Sequence, residues 1–99
     1  SRLTAQKAGK YFISGHVTWT PNPTGLRRIR ILLNLSLNLA SISLPVVAGV
    51  TTWLSVSTVY HLAAGDYVEL VAYQNSGGNL DVLANQSDSL EFAMQWLGP

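Results

Sequence analysis

The chain has 99 residues, of which 47% are hydrophobic and 11% charged, with a net charge of +1 and no cysteine. That length gives one domain with one core. The balance excludes disulfides and thiolate metal sites, offers no electrostatic ground for a nucleic-acid or membrane-surface partner, and contains no apolar run long enough for a spanning helix. Charge well below the usual quarter of a chain points to a surface partly covered by another chain.

Short runs rich in Val, Ile, Leu, Thr, Tyr and Trp, punctuated by Gly, Pro and Asn/Ser clusters, predict seven or eight strands and no helix: an all-β sandwich or barrel. The first run is AGKYFISGHVTWT. Tyr11, Ile13, Val17 and Trp19 share one face; Phe12, Ser14, His16 and Thr18 share the other. PNPTG ends it, because proline has no N–H for a ladder. In LRRIRILLN, Ile29, Ile31 and Leu33 alternate with Arg28, Arg30 and Leu32. NLSLNLASISLP alternates from Leu35 onward, and a turn lies between Pro45 and Gly49. VTTWLSVSTVYHL places Leu54, Val56, Tyr60 and Leu62 in phase.

After a turn at Ala64-Gly65-Asp66 comes DYVELVAYQ. Val68, Leu70 and Ala72 take one face, and Tyr67, Val71 and Tyr73, with Glu69, take the other. A sheet wet on one side alternates apolar with polar; here both faces are substantially apolar, which requires a cover for the second. NSGGN then reads as a hairpin-type turn and LDVLAN as a strand. SLEFAMQWLGP closes the chain with Phe92, Met94 and Trp96 in phase.

Three of these stretches carry a resemblance. AGKYFISGHVTW resembles the Gly-x-Tyr strand of the C1q and tumour-necrosis-factor superfamily, STVYHLAAGDYVELVAYQ its Leu-x-x-Gly-Asp strand pair, and SLEFAMQWLGP its closing Phe-containing strand. The order and spacing match from Ala8 to Leu97. In detail the chain is most similar to C1q-like head domains of phage tail fibres and related bacterial surface proteins. The resemblance implies a two-sheet antiparallel jelly roll assembling as a homotrimer. It also implies one or two strands ahead of the Gly-x-Tyr strand, so residues 1–99 are expected to be a single domain, a fragment lacking upstream strands.

By the family's phasing, Tyr11, Ile13, Val17, Leu54, Val56, Tyr60, Val68, Leu70, Phe92 and Met94 belong to the core, with Trp96 inward as well. Phe12, Ser14, His16, Trp53, Ser55, Ser57, Val59, His61, Ala93, Gln95 and Leu97 are expected at the trimer interface. Animal relatives often carry large aromatics where Ser14 and Ser55 fall, which implies a narrower or wetter axis here.

The polar residues favour plain roles. Asp66 after Gly65 is a turn residue whose carboxylate accepts backbone N–H groups. His16 and His61, brought together in threefold copies, have the chemistry of a metal site, but a hydrogen-bonded interfacial role is simpler and no metal or other cofactor is expected. Arg27, Arg28 and Arg30 form the only basic cluster, either a site for an anionic ligand or solvated charge that blocks edge pairing. Neither a nucleophile elbow nor a phosphate loop occurs, so the chain is not expected to be an enzyme. Asn34-Leu35-Ser36 and Asn85-Gln86-Ser87 fit the N-glycosylation pattern.

The resemblance thus implies a trimeric head domain on the cell exterior or virion surface. It would register three chains and bind a cell-surface glycan or protein receptor, with neither nucleic acid nor membrane insertion. A structural module without a ligand and a monomeric carbohydrate-binding sandwich are the alternatives.

Overall fold

Alternation of side chains along the chain is realised as strands in a computed structural model, which describes residues 2–19, 23–77 and 91–99. Seven strands occur among them: β1 (Arg2–Thr4), β2 (Gly9–Trp19), β3 (Leu26–Leu33), β4 (Leu37–Pro45), β5 (Thr52–Leu62), β6 (Tyr67–Gln74) and β7 (Glu91–Gly98). They form two antiparallel sheets, one ordered β1-β6-β3-β4 and the other β5-β2-β7. The sheets pack face to face as a sandwich. LDVLAN and Asn85-Gln86-Ser87 lie outside the described residues. Among the described residues no helix is long and apolar enough to cross a membrane.

The core lies between the sheets in two clusters. Ile13, Tyr11, Ile31, Leu62, Val68 and Ala5 form one; Val17, Trp19, Ile29 and Leu54 form the other. Val56 and Leu70 pack against both. Gly15 faces inward at this waist because a Cβ there would sit 2.9 Å from Leu70 Cδ2. Phe92 and Met94 are half-buried against the first cluster.

Tyr60 and Trp96 differ from their inward expectation. They flank Tyr11 on neighbouring strands, yet each remains 38% exposed. Both lie on the outer strands of the three-stranded sheet, where one flank has no neighbouring strand among the described residues. The Tyr11 hydroxyl donates to Lys7 O at 2.7 Å, Trp96 Nε1 donates to Ala8 O at 3.2 Å, and Lys7 Nζ stands 3.5 Å from the Trp96 ring centroid.

The leucine-rich run is also cut differently. Asn34 (φ 50°) and Leu35 (φ 63°) both take left-handed backbone, and Ser36 N donates to Leu33 O at 3.0 Å. Two left-handed central residues make a type I′ hairpin turn, which suits Asn but not Leu. The alternation therefore starts at Leu37, and the β3–β4 register slips once between Ile31 and Leu32.

The turn before β6 links two sheets rather than closing a hairpin, since β5 and β6 belong to different sheets. Asp66 organises it. Its Oδ2 accepts from Ala63 N at 2.9 Å and its Oδ1 from Asn34 Nδ2 at 3.2 Å. Asn34 Oδ1 accepts from Tyr67 N at 3.1 Å, and Ala5 N donates to Asp66 O at 2.8 Å. Gly65 takes φ 92°, open only to residues that tolerate left-handed backbone, and its N–H donates to Ala5 O at 2.9 Å. The β1–β2, β3–β4 and β5–β6 connections are thereby tied at one end of the sandwich. Asp66→Ala is expected to cost about 0.5–1.5 kcal/mol through the loss of these exposed hydrogen bonds, with Asp66→Asn costing less. Urea unfolding of the two variants measures this, and equal stability of Asp66→Ala and wild type contradicts it.

Candidate functional site

Each sheet has an outer face, and the two faces differ in chemistry. On the four-stranded sheet, alternation around the buried Ile29 and Ile31 turns Arg28 and Arg30 outward, beside Tyr73 and Val71 of β6 and Ser43 and Ser41 of β4. The Arg2 guanidinium lies 4.0 Å from the Tyr67 ring centroid and 3.6 Å from Glu69 Oε1; the Arg28 guanidinium lies 5.7 Å from that of Tyr73. The second apolar face of β6, which the sequence left in want of a cover, is thus dressed in part by arginines of the same chain.

Arg27 leaves the basic cluster. It is in phase with Ile29, so the strand turns it inward, where it is fully buried. Its Nη1 donates to the carbonyls of Thr24 and Leu26, both at 3.0 Å. A guanidinium needs such partners to leave water. Sequence reasoning grouped three arginines by adjacency; alternation separates them into one and two.

The outer face of the three-stranded sheet gathers all the residues expected at an interface. Register sets them in rows across β5, β2 and β7: Val59–Phe12–Gln95, Ser57–Ser14–Ala93 and Ser55–His16–Glu91, with Trp53 opposite Thr18 and His61 opposite Lys10 at the ends. Leu97 follows Gln95 on the same face of β7. The middle rows carry small side chains, so the face is hollowed between Phe12 and His16. The depression is about 280 Å³, with Ser14, Ser55, Ser57 and Ala93 among its lining residues. Around it Phe12 is 40%, Leu97 52%, Val59 54% and Trp53 59% exposed. Trp53 also borders a second hollow of about 230 Å³ lined by Leu44, Pro45, Val47 and Val50, so the apolar surface continues past the end of the sheet.

Two chemical readings of this face can be weighed by geometry. The histidines do not converge within one chain: their rows on β2 are six residues apart, or about 20 Å. Among the described residues no group of three or more His, Asp or Glu could hold a metal ion. The Ser55–His16–Glu91 row has the residue types of a hydrolytic triad. Among the described residues no hydrogen bond joins the three, and strand N–H groups point along the sheet plane to their neighbours, leaving no built oxyanion donors over the row. What the face offers is a broad, weakly charged, partly apolar surface.

No family model matches the chain, and no curated protein matches it.

Proposed function

We propose that the chain is a trimeric head domain of the C1q and tumour-necrosis-factor kind, with a jelly-roll strand order, carried on a fibre or surface protein outside the cell or on a virion. Its work is to register three chains and to present loops to a cell-surface receptor. The outer face of β5-β2-β7 is turned to two further copies.

The observation that carries this reading is the composition of that face. Four large apolar side chains, each 40–59% exposed, surround a centre of serines and an alanine. Exposed aromatic and aliphatic groups in one patch mark an interface, and small central residues let copies approach closely. The outline agrees: the Cα radius of gyration is 14.5 Å, against about 13 Å for a self-contained domain of 100 residues. A sandwich that is thin and open on one side gains most by stacking that side on copies of itself.

The test uses the absence of native cysteine. Ser57 and Ser43 are both exposed in the single chain, on the outer faces of the three-stranded and four-stranded sheets respectively. In the trimer, a cysteine at position 57 is expected to react with a maleimide far more slowly than one at position 43, and at the same rate once mild denaturant separates the copies. Equal rates in native buffer, the behaviour of a monomeric carbohydrate-binding sandwich, contradict the proposal.

A further inference from the structure

Charge on a strand usually has a defensive role: arginines and lysines at a sheet edge discourage pairing with another chain. That explanation fails for Arg28 and Arg30. Both lie on β3, which is flanked by β6 on one side and β4 on the other, so there is no open edge to protect. Two cations of one sign stand on one face of one strand, about 7 Å apart. The only ion pair among the described residues uses neither of them; it joins Arg2 and Glu69. Glu69, diagonal to Arg30, directs Oε1 to Arg2 at 3.6 Å.

The neighbours of the two arginines leave room rather than filling it. Ser41 and Ser43, opposite them on β4, are short, exposed hydroxyls. Tyr73, opposite Arg28 on β6, keeps 47% of its surface exposed beside the guanidinium. The result is a shallow shelf with two guanidiniums, an open phenol ring and two hydroxyls, all on the face opposite the apolar one.

We propose that this shelf binds an acidic oligosaccharide, one bearing carboxylate or sulfate groups on its sugar rings. Each demand of such a ligand has a counterpart here. Guanidinium forks receive carboxylate or sulfate oxygens two at a time. The exposed ring of Tyr73 receives the apolar C–H face of a pyranose, as amphipathic aromatic rings do. Ser41 and Ser43 exchange hydrogen bonds with sugar hydroxyls. Two arginines on a chain of net charge +1 are too few for a nucleic acid, whose affinity is built from many neutralised phosphates. A flat shelf without exposed aliphatic anchors does not suit a membrane surface. The shelf is complete within one chain, so its binding does not rest on the trimer.

The test is calorimetric titration of the whole chain, at low ionic strength, with a heparin tetrasaccharide, a tetragalacturonate, neutral maltotetraose and a short DNA duplex. At least one acidic oligosaccharide is expected to bind and maltotetraose not to. The Arg28→Gln/Arg30→Gln double variant is expected to weaken binding by at least about tenfold, as loss of charge-assisted hydrogen bonds does, with little change in melting temperature. Tyr73→Ala should weaken it severalfold and Lys10→Gln, on the other face, should leave it unchanged. The proposal is overturned if neither acidic oligosaccharide binds, if the double variant binds like wild type, or if maltotetraose binds equally well. Duplex DNA held as tightly through the same arginines overturns it too. Because the ligands are monovalent, loss of trimer assembly alone would not abolish binding.

Discussion

Trp19→Ala is expected to remove about 3–5 kcal/mol of folding stability, the range for deleting a fully buried large aromatic. Trp19 is 1% exposed at the end of β2, and among the described residues its cluster contains Val17, Ile29 and Leu54 as fellow buried residues. Those three are held by separate strands, so their backbones cannot move together to fill the space. The loss is a large share of the roughly 5–15 kcal/mol that a domain of this size has in total. Ile13→Ala, in the other cluster, should cost about 2–5 kcal/mol by the same cavity mechanism. Urea unfolding reads both. A loss below about 1 kcal/mol for Trp19→Ala, outside the range for a buried aromatic, would mean that the second cluster is loosely packed and that the sandwich depends on the first alone.

Phe12→Glu should act on assembly instead. Phe12 is 40% exposed in the single chain and lies between Val59 and Gln95 on the uncovered face. Its removal leaves no closed cavity in the folded chain. In the trimer, however, each copy would bring an unpaired carboxylate into a weakly charged contact, and loss of an aromatic hot spot at an interface costs about 2–4 kcal/mol. The variant should sediment as a folded monomer at concentrations where wild type is trimeric, with a melting temperature that no longer rises with protein concentration. If its sedimentation and concentration dependence match wild type, Phe12 does not face a neighbour.

Most strands were legible because alternation is a local signal. The face assignments of β2 and β5 followed from which residues share parity, and Ile13, Val17 and Leu54 are buried in that phase. Where alternation met tertiary context, it misled. β1 contributes three residues paired with β6, too few to display a period. Tyr60 and Trp96 have inward parity, but parity does not reveal how far the opposite sheet extends. Arg27 has inward parity too, yet arginine chemistry placed it with its neighbours; the nearby carbonyls of Thr24 and Leu26, which receive its guanidinium, are not visible in the alternation.

Similar limits governed the candidate sites. The outer face of β5-β2-β7 was legible residue by residue, because register follows from parity once the strands pair. The depression at its centre was not, since it depends on Ser57, Ser14 and Ala93 meeting in one row. The arginine cover over β6 was hidden for the same reason. Arg2 and Tyr67 are distant in sequence, and only the β1–β6 pairing brings them together.

In the proposed assembly this sandwich completes itself by covering one face with copies of itself. Sedimentation equilibrium of the wild-type chain over a wide dilution series tests it most directly. A species of three times the 10.7 kDa chain mass, persisting to low concentration, is expected. A stable, folded species of single-chain mass throughout the series would contradict it.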